Sequence, residues 1–118
     1  MSKIEFLTTH EFEKEFKHLK KKYHSLPDDL REFKSDFIAN PNIGTDLGGN
    51  VRKIRISIKS KGKGKSGGAR LIVYDLVINL VKHGVVLVTI YDKSDTESIT
   101  NNHIKDILAR NGFKWNSH

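Results

Sequence analysis

The chain has 118 residues, is 36% hydrophobic and carries 21 Lys+Arg against 14 Asp+Glu, a net charge of +7 with neutral histidines. The length and apolar content predict one domain over residues 1–118 with a modest core, and argue against wholesale disorder. The absence of cysteine excludes a disulfide scaffold, a thiolate zinc site and a cysteine nucleophile, and no apolar run approaches the ~20 residues that cross a membrane. A soluble, cytoplasmic protein is expected, since the N-terminus lacks the apolar core of a secretory signal.

Residues 3–7 alternate loosely and predict a short strand. Thr8 and Glu11 have the spacing of a capping box. After it, Phe12, Phe16, Leu19 and Tyr23 recur at helical intervals, with a solvated face of Glu13, Lys14, Lys17, Lys20 and Lys21 opposite. A second helix starts near Ser25-Leu26-Pro27-Asp28, with the stripe Leu26, Leu30, Phe33 and Phe37, and stops at Asn40-Pro41. The two stripes match, so the helices form a hairpin lying on a sheet.

Residues 42–50 read as a loop. The period then changes to two: Ile54, Ile56 and Ile58 face one way while Lys53, Arg55, Ser57 and Lys59 face the other. Residues 60–68, rich in Gly, Lys and Ser, read as a mobile basic loop. Residues 69–79 and 85–91 are predicted to pair as a hairpin, with Lys82-His83-Gly84 as the turn. Thr100 caps a last helix with Ile104, Ile107 and Leu108 inward and Gly112 at its end. The order β-α-α-β-β-β-α predicts an α+β fold: a small antiparallel sheet with helices on one face and a cationic floor on the other.

The charge is concentrated. Residues 52–70 hold Arg52, Lys53, Arg55, Lys59, Lys61, Lys63, Lys65 and Arg70 and no acid, while the other 99 residues carry 13 bases and 14 acids. A block of like charge repels itself and opposes compaction, so a polyanionic partner is expected, nucleic acid first and an acidic protein second.

Gly62-Lys63-Gly64-Lys65-Ser66 imitates a phosphate-binding loop, but Lys59 stands where the first glycine is required and no helix follows. His10-Glu11 lacks the second histidine of a metalloprotease motif, and the six histidines are scattered, so no metal site is expected. Arg70, opening a strand after the flexible loop, is placed to clamp a phosphate with its guanidinium. Antiparallel pairing would bring Tyr91 beside it, either to stack on a base or to sit in the core.

The run Lys53-Ile54-Arg55-Ile56, the segment from Lys59 through Gly62-Lys63-Gly64-Lys65-Ser66-Gly67-Gly68-Ala69-Arg70, and Leu87 to Lys93 together resemble the RelE/ParE superfamily of toxins. Within it, the likeness is to HigB-type toxins of bacterial toxin–antitoxin modules. The resemblance spans roughly residues 10–108 and implies the small RelE-like fold. It further implies an endoribonuclease that enters the ribosomal A site and cuts mRNA without metal or cofactor. In such cleavage the ribose 2′-hydroxyl attacks the adjacent phosphate, which requires a base, stabilisation of the pentacoordinate phosphorus and a proton for the 5′-oxygen.

Carried over by position, the resemblance assigns catalytic roles to Arg70, Lys93, Tyr91 and Lys53. Arg70 would stabilise the phosphorus and Lys93 the leaving oxygen or phosphate. Lys53 or Arg55 would hold the RNA backbone, with Lys59, Lys61, Lys63 and Lys65 adding RNA contacts. Some relatives have a tyrosine in the last segment; this chain has none after Tyr91, which either fills that role or leaves it vacant. The base stays open: an arginine, with a pKa above about 12, is too basic, and a lysine would need a lowered pKa. The implied partners are a cognate antitoxin carrying a DNA-binding helix-turn-helix domain, the 70S ribosome and mRNA, with no membrane. Two other classes compete, a ParE-like inhibitor of DNA gyrase and a non-catalytic RNA- or ribosome-binding module.

Overall fold

A computed structural model describes residues 3–77, 81–96 and 98–115. The elements run β1 (Lys3–Thr8), α1 (His10–Lys22), α2 (Leu26–Ala39), β2 (Thr45–Gly48), β3 (Val51–Ile56), a 3-10 turn over Lys59–Lys61, β4 (Ala69–Val77), β5 (Lys82–Asp92) and α3 (Asn101–Arg110). The five strands form one sheet in the order β1-β5-β4-β3-β2. The α+β class holds, with one difference. β1 runs parallel to β5, Lys3 opposite Lys82 through Thr8 opposite Leu87, so the sheet is mixed rather than wholly antiparallel. The chain leaves β1 through two helices before returning, and such an excursion permits a parallel neighbour.

The helical stripes do what their spacing demands. Phe12, Leu19, Leu26, Phe33 and Phe37 are buried against Ile54, Ile56, Leu71, Val73, Leu87 and Ile90, with Phe16, Tyr23 and Leu30 at the margin. The cap of α1 falls one residue later than its spacing suggests. Thr8 is still paired in the sheet, and Thr9 takes the extended cap geometry and accepts from the Phe12 N–H at 2.9 Å. Thr9 also donates to the Val88 carbonyl at 2.6 Å, which nails the start of α1 to β5.

Four further expectations are corrected. Residues 45–48 form a strand, not a loop: Thr45 pairs with Lys53 and Asp46 with Arg52, and the chain reverses through left-handed Gly48, Gly49 and Asn50. Four polar-rich residues were too short a run to show alternation. Lys82, His83 and Gly84 are strand residues of β5, opposite Lys3–Glu5 on one side and Leu76–Val77 on the other, and so are not the turn. The predicted strand residues Ile78 and Asn79 lie outside the described residues.

The third correction concerns the helices, which occupy both faces. Ile104, Ile107 and Leu108 of α3 are buried with Val51, Ile72, Tyr74, Val86 and Val88 on the face opposite the hairpin. Beyond α3, Phe113 lies 5.5 Å from Tyr74, whose hydroxyl donates to the Lys114 carbonyl, and Trp115 covers the Gly48–Gly49 turn. The open cationic floor is therefore restricted to the end of the sheet nearest residues 59–68. The fourth correction is that this segment is anchored at both ends, with residues 62–66 exposed between them. β3 ends at Ile56, yet Ile58 is fully buried, Lys61 is almost enclosed and Gly68 is buried.

Candidate functional site

Register assembles the site. Arg55 on β3 lies opposite Arg70 on β4, and Arg70 lies opposite Tyr91 on β5, giving one cross-strand row. Strand alternation puts Lys53 on the same face as Arg55, while Ile54 and Ile56 point into the core. Arg55 is exposed and Lys53 half-buried; together with Lys65 they line a groove of about 600 Å³ whose far wall carries Asp29, Glu32 and Asp36 of α2. Lys93 follows the end of β5, and its backbone N–H donates to the Gly68 carbonyl at 3.1 Å. Arg70, Arg55, Lys53, Lys65 and Lys93 thus gather at one end of the sheet.

Arg70 is only 6% exposed, and its partners among the described residues are backbone carbonyls. Nη1 donates to the carbonyls of Lys65 at 2.9 Å and Ala69 at 3.2 Å, and Nη2 to that of Ser66 at 3.2 Å. The guanidinium therefore braces the basic loop. Of its five N–H donors, these bonds to described residues use three. Tyr91 sits with the α3 cluster at 8% exposure, and its hydroxyl is shielded from solvent with no partner among the described residues. Of the two sequence-based readings of Tyr91, the geometry is that of a core aromatic.

Two of the expected RNA-contacting lysines lie on the helical side. Lys59 pairs with Glu32 at 2.7 Å, an exposed contact whose hydrogen bond holds the glutamate below its ordinary range and the lysine above its own. Lys61 is drawn inward: its Nζ donates to Asp92 Oδ1 and to Ser94 Oγ, both at 2.6 Å. Lys63 and Lys65 remain exposed on the loop. Among the described residues no three His, Asp or Glu side chains cluster as a metal site would require, and no helix is long and apolar enough to cross a membrane.

Sequence reasoning missed Asp92. It is 2% exposed and accepts from the Tyr23 hydroxyl at 2.6 Å, Lys61, and the Ser94 N–H at 2.9 Å. Burial opposes its charge, but the Lys61 and Tyr23 hydrogen bonds outweigh that and hold it at about 2. A signal existed in the alternation of β5, which puts Asp92 on the same face as core Ile90.

A family model described as the RelE toxin of the RelE/RelB toxin–antitoxin system matches residues 6–113. The chain belongs to the RelE toxin family. The match covers every element from α1 to α3, together with the end of β1, and so takes in the whole cationic end of the sheet. As a RelE toxin, the chain is one half of a toxin–antitoxin pair. The segment from Lys53 to Arg70, which carries the resemblance in the sequence, builds the cationic rim of this family member.

Proposed function

We propose that this RelE toxin is a HigB-type, ribosome-dependent mRNA endonuclease of the cytoplasm that cleaves in the A site without metal. The observation that carries the reading is the convergence of Arg55, Arg70 and Lys93 with the exposed Lys63 and Lys65 at the end of the sheet that the basic segment adjoins. Among the described residues no acidic side chain pairs with Arg70, and a guanidinium so placed suits a phosphate whose charge rises as the 2′-oxygen attacks. Lys53 and Arg55 hold the RNA backbone from the edge of β3, and Lys93 serves the departing 5′-oxygen. Tyr91, beneath α3, supports Arg70 from the neighbouring strand. The partner antitoxin, with its helix-turn-helix domain, neutralises this cationic end.

The test is induced expression in a bacterium of the wild type, Arg70→Ala and Arg70→Lys, with mapping of mRNA 5′ ends. Codon-phased cuts within translated frames are expected from the wild type. Loss of a stabiliser of this kind lowers the rate by about 10²–10³-fold, so the cuts should vanish in Arg70→Ala. Arg70→Lys keeps the charge but not the fork that braces the loop, and should be intermediate. Growth arrest by the wild type without any cuts overturns the reading in favour of gyrase inhibition or ribosome binding without cleavage.

A further inference from the structure

Residues 59–68 are tied down at several points, and the ties differ in kind. At the root, the Lys59 N–H donates to buried Asp29 at 3.2 Å, and the Ser60 N–H to Ser25 Oγ at 2.9 Å. One residue on, Lys61 inserts its ammonium between Asp92, Ser94 and the Tyr23 ring, 5.5 Å from the ring centroid. At the far end, the Arg70 guanidinium holds the Lys65 and Ser66 carbonyls, and Gly68 lies so close to the Ile56 carbonyl that a Cβ there would collide with it. The Lys93 N–H closes the frame on the Gly68 carbonyl.

Asp92 is the hinge pin of this frame. Its buried carboxylate touches the end of α1 through Tyr23, the basic segment through Lys61 and the turn after β5 through Ser94. A buried ion pair is costly to desolvate, and a merely stable fold could use an apolar pair here. What the pair supplies is a fixed conformation for a stretch with four glycines, which otherwise samples many. Lys63 and Lys65 then project from a preformed platform, and Lys93, next in the chain, leaves from a fixed turn.

We propose that Asp92 is a positioning residue: through its pair with Lys61 it presets the basic segment and the Lys93 turn for RNA. The proposal rests on the nuclease reading only for its effect on cleavage; its effect on RNA binding stands apart from that.

The test compares wild type, Asp92→Asn, and the double variant Asp92→Asn with Lys61→Met, using the full chain. Three quantities are read: melting temperature, amide exchange at residues 62–68, and affinity for 70S ribosomes programmed with a defined mRNA, together with cleavage of that mRNA. Asp92→Asn is expected to accelerate exchange in the segment and to weaken binding about tenfold, the cost of ordering two lysines on association. The double variant removes the stranded ammonium and should recover melting temperature, but not segment protection, affinity or cleavage. Recovery of affinity and cleavage along with melting temperature makes Asp92 a purely structural residue and overturns the proposal. So does Asp92→Asn with unchanged exchange and affinity. If the wild type binds but never cuts, while Asp92→Asn loosens the segment and weakens binding, the positioning role is supported and the nuclease reading falls.

Discussion

Asp92 keeps its charge where burial opposes it, because Lys61, Tyr23 and the Ser94 N–H all favour the ionised form. With a folded-state pKa of about 2 against an ordinary 3.8, it contributes stability that is present above pH 4 and lost as the pH falls through that window. The contribution is about 2 kcal/mol at neutral pH. Urea unfolding of the wild type between pH 5 and pH 2 should therefore show a loss of this size. Asp92→Asn should lose less over the same range, starting from lower stability at pH 7. Equal slopes would mean that another carboxylate governs the acid limb. Arg70 makes a related point. A cation expected to await a phosphate spends three of its donors on backbone carbonyls, so this side chain shapes the loop.

Among the elements, α1 depends on its first residue more than on its stripe. Thr9 caps the helix and is bonded to β5, with 2% exposure. Thr9→Ala removes both bonds and should cost about 2 kcal/mol, the upper end for a lost cap, seen as a lower urea midpoint with an unchanged slope. The β2–β3 turn offers a second case. Gly49 has a φ of 61°, and a Cβ there would run into the Trp115 indole, which Lys105 covers from 4.9 Å. Gly49→Ala should expel the indole and quench or red-shift its fluorescence, whereas Gly64→Ala, with open space around it, should leave the indole signal unchanged. The helices were legible because their stripes repeat within one element: Phe12 to Leu19 and Leu26 to Phe37 announce their buried face unaided. β2 was not legible, since Thr-Asp-Leu-Gly has no pattern of its own and is strand only because Lys53 and Arg52 lie opposite.

The whole molecule is a slab of 39 × 32 × 22 Å whose charge is gathered at one end. Association with RNA should weaken steeply with salt, and Lys63→Gln and Lys65→Gln should each lower the logarithmic salt slope by about one unit. Lys59→Gln should lower it less, because Glu32 already neutralises that ammonium. At this scale the sequence showed that the charge was local, and register then placed Arg55, Arg70 and Tyr91 in one row, as antiparallel pairing of Arg70 and Tyr91 required. It did not show which of those charges were already engaged. Lys61 and Lys63 look alike in the chain, two residues apart, yet one is sealed against Asp92 and the other faces solvent. That difference is decided by a carboxylate 31 residues away, beyond the reach of any local pattern.

The parallel pairing of β1 with β5 sets a schedule for the chain's appearance. Thr9 finds its acceptor 79 residues later, and Tyr23 finds Asp92 69 residues later. During synthesis β1 and the helical hairpin must therefore wait, with an apolar face uncovered, until the strand through Asp92 has emerged. The Lys61 anchor is then set at the same moment as the core closes, so a partly made toxin has neither core nor platform. A chain truncated before β5 should be non-toxic and protease-sensitive, and pulse proteolysis of stalled nascent chains should show protection arising in one step rather than helix by helix.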